Sequence, residues 1–279
     1  MMGLEKTSID FIRETYNEYF EKGMAFAVAF SGGKDSLALL DLVSRALSPD
    51  EFLVVFSNTG MELSTTLQSV ERAKKHWSSL KFYEAKSHLD PKDSWEEFGP
   101  PGRRMRWCCA VHKSVPTIIR LREITGDYNV KAVIFEGVRA QESAARAARD
   151  EIAVGAKNIN QINCSPIFKW NTAELYIYLL HKGILFNDAY RKGLFRVGCT
   201  VCPLSSAGGT VLLMMSILKK RELCFQKLSI MPRRQSLKTR WLNLLSRAAG
   251  KPVWAAGACK TAETALLRKS GIIRYPLVL

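Results

Sequence analysis

MAFAVAFSGGKDS, residues Met24–Ser36, is the segment from which the architecture of this chain can be read. Its first seven residues form an uninterrupted apolar run, which is typical of a strand buried on both faces of a parallel sheet. Two glycines then permit a tight turn before a predicted helix. The N–H groups of such a turn and the positive end of the helix dipole attract an anion. We therefore predict a phosphate loop at Ser31–Ser36, in which Lys34 supplies a cation and both serines supply hydroxyl groups.

Strand and helix patterns alternate through the first two hundred residues. Apolar runs predict strands at Met24–Phe30, Phe52–Ser57, Leu80–Ala85 and Ala132–Glu136, the last of which closes the series. Helical spacing predicts helices at Ser8–Glu21, Ser36–Leu47, Ser64–Trp77, Cys108–Thr125 and Thr172–His181. This alternation predicts an α/β fold with a doubly wound, mainly parallel sheet that binds ligands at the carboxyl ends of its strands. We expect this domain to span residues 1–205, with a basic, mostly helical extension at 206–279.

The composition is that of a globular protein. Of the 279 residues, 47% are hydrophobic and 24% are charged, which excludes wholesale disorder and fibrous repeats. The apolar runs are far shorter than the roughly 20 residues that span a bilayer. The first residues, Met1–Gly23, mix acidic and apolar side chains, whereas a signal peptide has a basic start and a continuous apolar stretch. We therefore expect a cytoplasmic protein with no membrane partner.

The charge is uneven along the chain. The net charge is +15, yet residues 1–100 carry 11 basic and 16 acidic side chains, while the remainder carries 30 and 10. A one-sided positive potential is the electrostatic signature of a polyanion partner, because each phosphate contact releases condensed counterions. A solvated basic face without a ligand is the alternative explanation.

The loop differs from the common nucleotide-binding motifs. Neither Gly33-Lys34 nor Gly250-Lys251 is followed by Ser or Thr, and the chain has no Gly-x-Gly-x-x-Gly motif. Between a strand and a helix, SGGKDS resembles the PP-loop of the adenine nucleotide α-hydrolase superfamily. This resemblance implies that the loop holds the β,γ-pyrophosphate of ATP with Mg²⁺. The α-phosphorus is then open to attack, a substrate oxygen is adenylated and pyrophosphate leaves.

Four further segments resemble the PAPS and APS reductases, and they occur in that family's order. They are Ser57–Gly60, Glu136–Ser143, Ser165–Trp170 before a helix, and Asn187–Tyr190. The chain departs from the family pattern at Asn58, where Asp is usual, and at Ser165, where Asn is usual. The first departure removes a negative charge from the adenosine pocket.

The resemblance implies a set of nucleotide-binding residues on the loop and the strand ends. They are Ser31, Gly32, Gly33, Lys34, Asp35, Ser36, Asn58, Thr59, Gly60, Gly137 and Arg139. Among them, catalytic roles are implied for Lys34, Asp35 and Arg139, since a guanidinium can grip a phosphate or sulfonate with two parallel bonds. Arg146, close by in sequence, is a further candidate phosphate contact.

Seven cysteines without a secretory signal favour metal ligands or redox thiols over disulfides. The vicinal pair Cys108-Cys109 and the later Cys199-x-x-Cys202 resemble the pattern by which APS reductases hold a [4Fe–4S] cluster. The same four thiolates suit tetrahedral Zn²⁺, which is the alternative. Basic residues around the first pair would offset its negative charge and are candidate nucleic-acid contacts: Arg103, Arg104, Arg106 and Lys113. Of the other cysteines, Cys164 fits a strand pattern and is expected in the core, and Cys224 and Cys259 lie in the basic tail.

One departure changes the expected function. Sulfonucleotide reductases attack sulfur with a cysteine in a C-terminal Glu-Cys-Gly-x-His segment, and neither Cys224 nor Cys259 has those neighbours. A pyrophosphatase site, a cluster and a basic second half together resemble the PP-loop component of DNA phosphorothioation systems (Dnd- and Ssp-type). That likeness implies DNA as substrate and a cysteine desulfurase as sulfur donor.

Three alternatives stay open. The chain could adenylate a base of tRNA for thiolation, since a basic surface by itself does not separate DNA from RNA. It could be an APS or PAPS reductase whose nucleophile has an unfamiliar sequence context. A non-catalytic adaptor that binds a desulfurase or nucleic acid is disfavoured by the intact SGGKDS. A homodimer is an open possibility for the assembly.

Overall fold

The structure is a computed structural model that describes residues 2–102, 105–155, 159–200, 202 and 204. Within these residues the chain forms one six-stranded sheet in the order β3-β2-β1-β4-β6-β5. Its strands are β1 (Ala25–Phe30), β2 (Leu53–Asn58), β3 (Phe82–Lys86), β4 (Ala132–Phe135), β5 (Ile152–Val154) and β6 (Gln161–Cys164). Neighbouring strands are parallel except for β5, which runs antiparallel to β6. The predicted α/β fold with a mainly parallel sheet is confirmed.

Helices connect the strands. They are α1 (Met2–Phe20), α2 (Lys34–Ala46), α3 (Ser64–His76), α4 (Pro91–Phe98), α5 (Trp107–Cys109), α6 (Val115–Thr125), α7 (Ala144–Ala147), α8 (Thr172–His181) and α9 (Asp188–Arg191). The predicted helix at Cys108–Thr125 is helical throughout, but a π-helical turn at Ala110–Ser114 separates α5 from α6. None of the helices described is both long and apolar enough to cross a bilayer.

The prediction that the strand series closes at Ala132–Glu136 is wrong. Two more strands follow β4, and β6 pairs with it in parallel from Ala132↔Gln161 to Phe135↔Cys164. The four residues of β6 read QINC, and within them the sequence pattern indicated a strand only around Cys164. Its pairing with β4, which the sequence pattern does not contain, makes this segment a strand.

The core lies on both faces of the central strands. On one face of β1, the side chains of Phe26, Val28 and Phe30 are buried in a large cluster that also contains the apolar side of α2. On the other face, Ala27 packs in a smaller cluster with Val55 of β2. Cys164 is fully buried in the larger cluster, as predicted. Burial on both faces explains why β1 is apolar at every position.

The sheet order defines where a ligand can bind. Strands β2 and β3 lie on one side of β1, and β4, β6 and β5 lie on the other, so the order reverses between β1 and β4. In open α/β sheets, ligands bind in the crevice outside the carboxyl ends of the strands at such a reversal. The segments that follow β1, β2 and β4 meet at this edge, and they contain the predicted nucleotide-binding residues.

Two compact units can be distinguished. The first, Met1–Pro91 with Arg106–Cys202, contains the sheet and nearly all of the helices listed above. The second is Lys92–Met105 with Pro203–Leu279, and its described part is largely α4, where Lys92 pairs with Glu96. The predicted extension at 206–279, with Cys224 and Cys259, lies outside the described residues.

Candidate nucleotide and cysteine site

The loop after β1 turns tightly at its first glycine. Gly32 has φ +67°, in the left-handed region, and a Cβ there would lie 3.2 Å from atoms of Thr66 and Val70 on α3. Gly33 is the N-cap of α2, so the first N–H groups of that helix face outward without intrahelical partners. Ser36 closes the turn, because its hydroxyl donates to the Gly33 carbonyl at 2.9 Å and accepts from the Ser31 N–H at 3.3 Å. This is the geometry of an anion-binding loop.

Two cations meet on one carboxylate at this loop. Lys34 Nζ donates to Asp35 Oδ2 at 2.9 Å, and Arg139 Nε donates to Asp35 Oδ1 at 2.7 Å. Lys34 is 5% exposed and Arg139 is 2% exposed, so both positive charges are largely shielded from solvent. The three residues named as catalytic from the sequence therefore form one contiguous group. Its net charge is +1, and it lies at the positive end of the α2 dipole.

Arg139 is fixed by groups from several segments. Its Nη1 donates to the carbonyl of Trp170 and to the hydroxyl of Thr172, each at 3.3 Å, and its backbone N–H donates to Glu142 at 3.1 Å. Two residues earlier, Gly137 passes close to the loop: a Cβ there would lie 3.0 Å from the carbonyl carbon and oxygen of Asp35. Position 137 therefore favours glycine, because any larger residue would have to displace the Asp35 backbone.

Two residues of the 187–190 segment also reach the loop. Buried Asn187 donates from Nδ2 to Thr66 Oγ1 at 3.2 Å and to the Gly32 carbonyl at 3.5 Å. The hydroxyl of Tyr190 accepts the backbone N–H of Lys34 at 3.1 Å, and Lys34 Nζ lies 5.0 Å from the Tyr190 ring centroid. Sequence reasoning noted this segment as a family block but assigned these side chains no role. The sequence of this block does not indicate which loop its tyrosine will contact.

The segment after β2 forms a compact turn. The Asn58 side chain accepts from the Gly60 N–H at 2.9 Å and donates to Glu84 at 2.9 Å. Thr59 is buried, and Glu62 accepts both its N–H and its hydroxyl, at 3.1 and 2.6 Å. As an amide, Asn58 can donate to the Glu84 carboxylate, whereas an aspartate there would face it with like charge.

This turn is joined to the second cysteine pair. Cys199 Sγ lies 3.4 Å from the Thr59 hydroxyl, and the residues Glu62 and Cys199 form an isolated antiparallel bridge. The backbone N–H of Thr200 donates to the Met61 carbonyl at 2.8 Å. The structure therefore brings Cys199 against the predicted nucleotide pocket, although 140 residues separate it from Thr59.

The four cysteines of the predicted cluster interact electrostatically. Cys108 donates a hydrogen bond to the Cys109 sulfur, which, with Lys113, Arg106 and Arg196, lowers the pKa of Cys109 to about 6. The same hydrogen bond, burial and the nearby Cys199 and Cys202 raise the pKa of Cys108. All four thiols are half-buried and free.

The four cysteines have the ligand chemistry of an iron–sulfur cluster, but their thiols are not yet arranged around one metal position. Four thiols that influence one another, beside three cationic side chains, are the donor set and the charge balance that a Cys₄ cluster requires. Within the described part of the chain, however, no three His, Cys, Asp or Glu side chains are close enough together to share a metal ion. The cluster and its zinc alternative stay predictions.

Magnesium fits the loop differently. Mg²⁺ is usually held by one or two carboxylates together with substrate phosphates and water, so a ready-made protein cage is not needed. Asp35 is the carboxylate at the loop, and both of its oxygens are in contact with cations. Mg²⁺ bound together with ATP is compatible with this arrangement.

The predicted basic contacts separate into two groups. Arg146 pairs with Glu142, and burial together with the nearby Arg196 and Arg149 lowers its pKa. Arg106 and Lys113 lie by Cys109, as expected. Arg103 and Arg104 lie outside the described residues. Arg196 interacts electrostatically with both Arg146 and Cys109, and no sequence motif identified it.

Comparisons with known proteins identify the relatives of this chain. A family model for the phosphoadenosine phosphosulfate reductase domain matches residues 25–205. An uncharacterized protein of Methanocaldococcus jannaschii is 37% identical over 207 residues, which cover 73% of this chain and 41% of that protein. An adenosine 5'-phosphosulfate reductase of Halalkalibacterium halodurans is 26% identical over 199 residues, covering 71% of this chain and 80% of that enzyme.

A solved structure supports the fold alone. FMN adenylyltransferase of Candida glabrata, crystallised with ATP, superposes with a TM-score of 0.50 at 18% identity and covers 70% of this chain and 60% of that one. The chain spans less than half the length of the two Methanocaldococcus jannaschii relatives that it matches at 37% and 31% identity. The resemblance to the PAPS and APS reductases is thus confirmed, and the finer likeness to DNA phosphorothioation proteins stays a prediction. The chain belongs to the phosphoadenosine phosphosulfate reductase domain family.

Proposed function

We propose that this chain is an ATP pyrophosphatase that adenylates a phosphate oxygen of nucleic acid so that sulfur can be inserted there. The observation that carries the proposal is the group formed by Lys34, Asp35 and Arg139 at the N-terminus of α2. Two shielded cations on one carboxylate can neutralise a leaving pyrophosphate once the nucleotide phosphates draw them away from Asp35. Such fixed charges contribute most in a site that excludes water.

The proposed chemistry begins at the α-phosphorus of ATP. A non-bridging oxygen of a nucleic-acid phosphate forms a bond to that phosphorus, and the bond to the β-phosphate oxygen breaks, so pyrophosphate leaves with the electron pair. A persulfide sulfur from a cysteine desulfurase then displaces AMP from the activated phosphate. A further thiol reduces the sulfur–sulfur bond and leaves the phosphorothioate. Adenylation is needed because an unactivated diester oxygen is a very poor leaving group.

The residues divide this work. The loop N–H groups and Lys34 would bind the outer phosphates and align the α-phosphorus for in-line attack. Arg139 would contact the phosphate at which charge develops, and Asp35 would help to hold Mg²⁺, whose chemistry is charge neutralisation on the phosphates. Arg146, Arg149 and Arg196 would attract the diester polyanion toward the loop.

We further propose that Cys108, Cys109, Cys199 and Cys202 hold a [4Fe–4S] cluster next to this site. When bound, such a cluster supplies electron transfer or a sulfur-handling surface. The contact between Cys199 and Thr59 would keep the cysteine segment close to the bound nucleotide. A zinc site would be colourless, so an absorbance band at about 400 nm in anaerobically purified protein would indicate an iron–sulfur cluster.

Reduction of APS or PAPS is a second candidate. It is favoured by the similarity to APS reductases, which covers 80% of the length of the Halalkalibacterium halodurans enzyme. It is disfavoured by the lack of a Glu-Cys-Gly-x-His segment in the sequence. ATP-dependent thiolation of tRNA uses the same activation step on a base oxygen and is the closest variant of the main proposal.

One set of assays separates these functions. The main proposal expects pyrophosphate, not orthophosphate, to be released from ATP, with stimulation by duplex DNA. Release of orthophosphate would contradict attack at the α-phosphorus. Sulfite formation from APS with thioredoxin, lost in Cys224→Ser or Cys259→Ser, would instead establish the reductase. Stimulation by tRNA alone would favour base thiolation.

The substrate class has its own test. Affinity for a 20-base-pair duplex should fall steeply with salt, because each phosphate contact releases counterions. Mass spectrometry of DNA from cells with and without the gene should detect phosphorothioate dinucleotides only in the former. If DNA from both strains had the same phosphorothioate content although the protein was active, DNA would be excluded as the substrate.

A further inference from the structure

Tyr190 contacts the phosphate loop, and the proposed function assigns it no role. Its hydroxyl accepts the backbone N–H of Lys34 at 3.1 Å, and this N–H belongs to the first residue of α2. N–H groups at this end of a helix are the donors that an anion-binding loop offers to a phosphate. The phenol oxygen therefore already holds a donor that a nucleotide phosphate requires.

Burial raises the pKa of Tyr190, and the hydrogen bond from the Lys34 backbone lowers it, so the phenol stays protonated at neutral pH. The acceptor that faces the Lys34 N–H is therefore a neutral oxygen.

The surroundings favour an anion over the phenol. Lys34 Nζ lies 5.0 Å from the Tyr190 ring centroid, and Arg139 is joined to the same carboxylate as Lys34. A hydrogen bond to a charged phosphate is about twice as strong as one to a neutral acceptor. At Gly33 a Cβ would lie 3.2 Å from the Tyr190 hydroxyl, so a larger residue there would crowd any acceptor of the Lys34 N–H.

We propose that a nucleotide phosphate displaces the Tyr190 hydroxyl from the Lys34 N–H when the nucleotide binds at the loop. In the free protein, Tyr190 then holds a phosphate position and lowers the affinity of the loop for nucleotide. The inference rests on the proposed function, because it requires ATP to bind at the loop.

Tyr190→Phe tests the competition. This variant keeps the ring, which packs edge-on against Phe186 and Tyr176, and removes only the competing oxygen. Calorimetric titration with α,β-methylene ATP and Mg²⁺, and separately with inorganic pyrophosphate, should show about three- to tenfold tighter binding than in the unsubstituted protein. Tyr128→Phe, at a residue 74% exposed, is the matched control and should bind like the unsubstituted protein.

Equal or weaker nucleotide binding by Tyr190→Phe would overturn the inference. If the unsubstituted protein bound neither probe, the proposed function itself would fail instead.

Discussion

At the phosphate loop, only three residues separate the end of β1 from the start of α2, whereas the two cysteine pairs are 90 residues apart in sequence. The loop has its shape because a buried strand and a helix start fix both of its ends, and Ser36 closes it with a local hydrogen bond. The second cysteine pair is held by one turn after β2, through Thr59, Met61 and Glu62, whereas the first pair lies on α5. The nucleotide side is thus built by local secondary structure, while the predicted cluster would have to draw together thiols from two separate segments.

The largest effect is expected at Lys34. Lys34→Ala removes the shielded cation that would neutralise leaving pyrophosphate, and we expect pyrophosphate release to fall by about 100-fold or more. A coupled pyrophosphate assay measures this. Lys22→Ala removes an exposed lysine that pairs with Glu18 and should leave the rate unchanged. Equal rates for both variants would mean that the loop is not the catalytic side of the molecule.

A smaller effect is expected on the cysteine side. Cys199→Ser should lower metal retention by about 10- to 100-fold, because a hydroxyl is a poor substitute for a ligating thiolate. Iron and zinc contents of anaerobically purified protein measure the loss. Cys164→Ser serves as the control, since Cys164 is fully buried in the core and belongs to neither predicted pair. Equal metal loss in the two variants would point to a general folding defect.

A moderate effect on nucleotide binding is expected at Gly137, where the segment after β4 passes close to the phosphate loop. Gly137→Ala would place a Cβ 3.0 Å from the Asp35 carbonyl, so the start of α2 must shift by a few tenths of an ångström. We expect about tenfold weaker nucleotide binding and a lower melting temperature, from overpacking of about 1–3 kcal/mol. In Gly3→Ala, nothing lies within 4 Å of the added Cβ, and binding should be preserved. Undiminished affinity in Gly137→Ala would show that the loop tolerates displacement.

The smallest effect is expected at the Cys164 thiol, which lies outside the proposed site. Burial raises the pKa of Cys164 to about 12, so its thiol stays protonated and shielded at pH 8. Iodoacetamide at pH 8 should leave Cys164 unmodified in the folded protein and modify it once the chain is unfolded, as peptide mass mapping would detect. Because the unfolded thiol ionises near its ordinary pKa while the folded one does not, this group lowers stability as pH rises above about 9. Rapid labelling of the folded protein would contradict the core position of Cys164.

The sequence predicted the elements whose patterns are local. The strands at Phe52–Ser57 and Leu80–Ala85 and the helix at Ser64–Trp77 agree with β2, β3 and α3 to within two residues at each end. Their apolar spacing reflects burial against neighbours on fixed faces, which leaves a period in the sequence. The strand pattern around Cys164 was recognised without its place in the sheet, and the antiparallel β5 escaped prediction, because hydrogen bonds to neighbouring strands place both segments in the sheet.

For the site, the sequence alone determined the residue types: the glycine turn, Lys34 and Asp35, the arginine after β4, and the two cysteine pairs. The glycine turn and Lys34 follow from local chemistry, because such a turn and a cation bind phosphate, whereas Asp35, Arg139 and the two cysteine pairs were assigned by resemblance to the family. The tertiary structure decided which of them meet. Arg139 reaches Asp35, Tyr190 reaches the Lys34 N–H, and Cys199 reaches Thr59, in each case across more than 100 residues. Such contacts depend on the order of strands in the sheet, and a linear pattern does not contain that order.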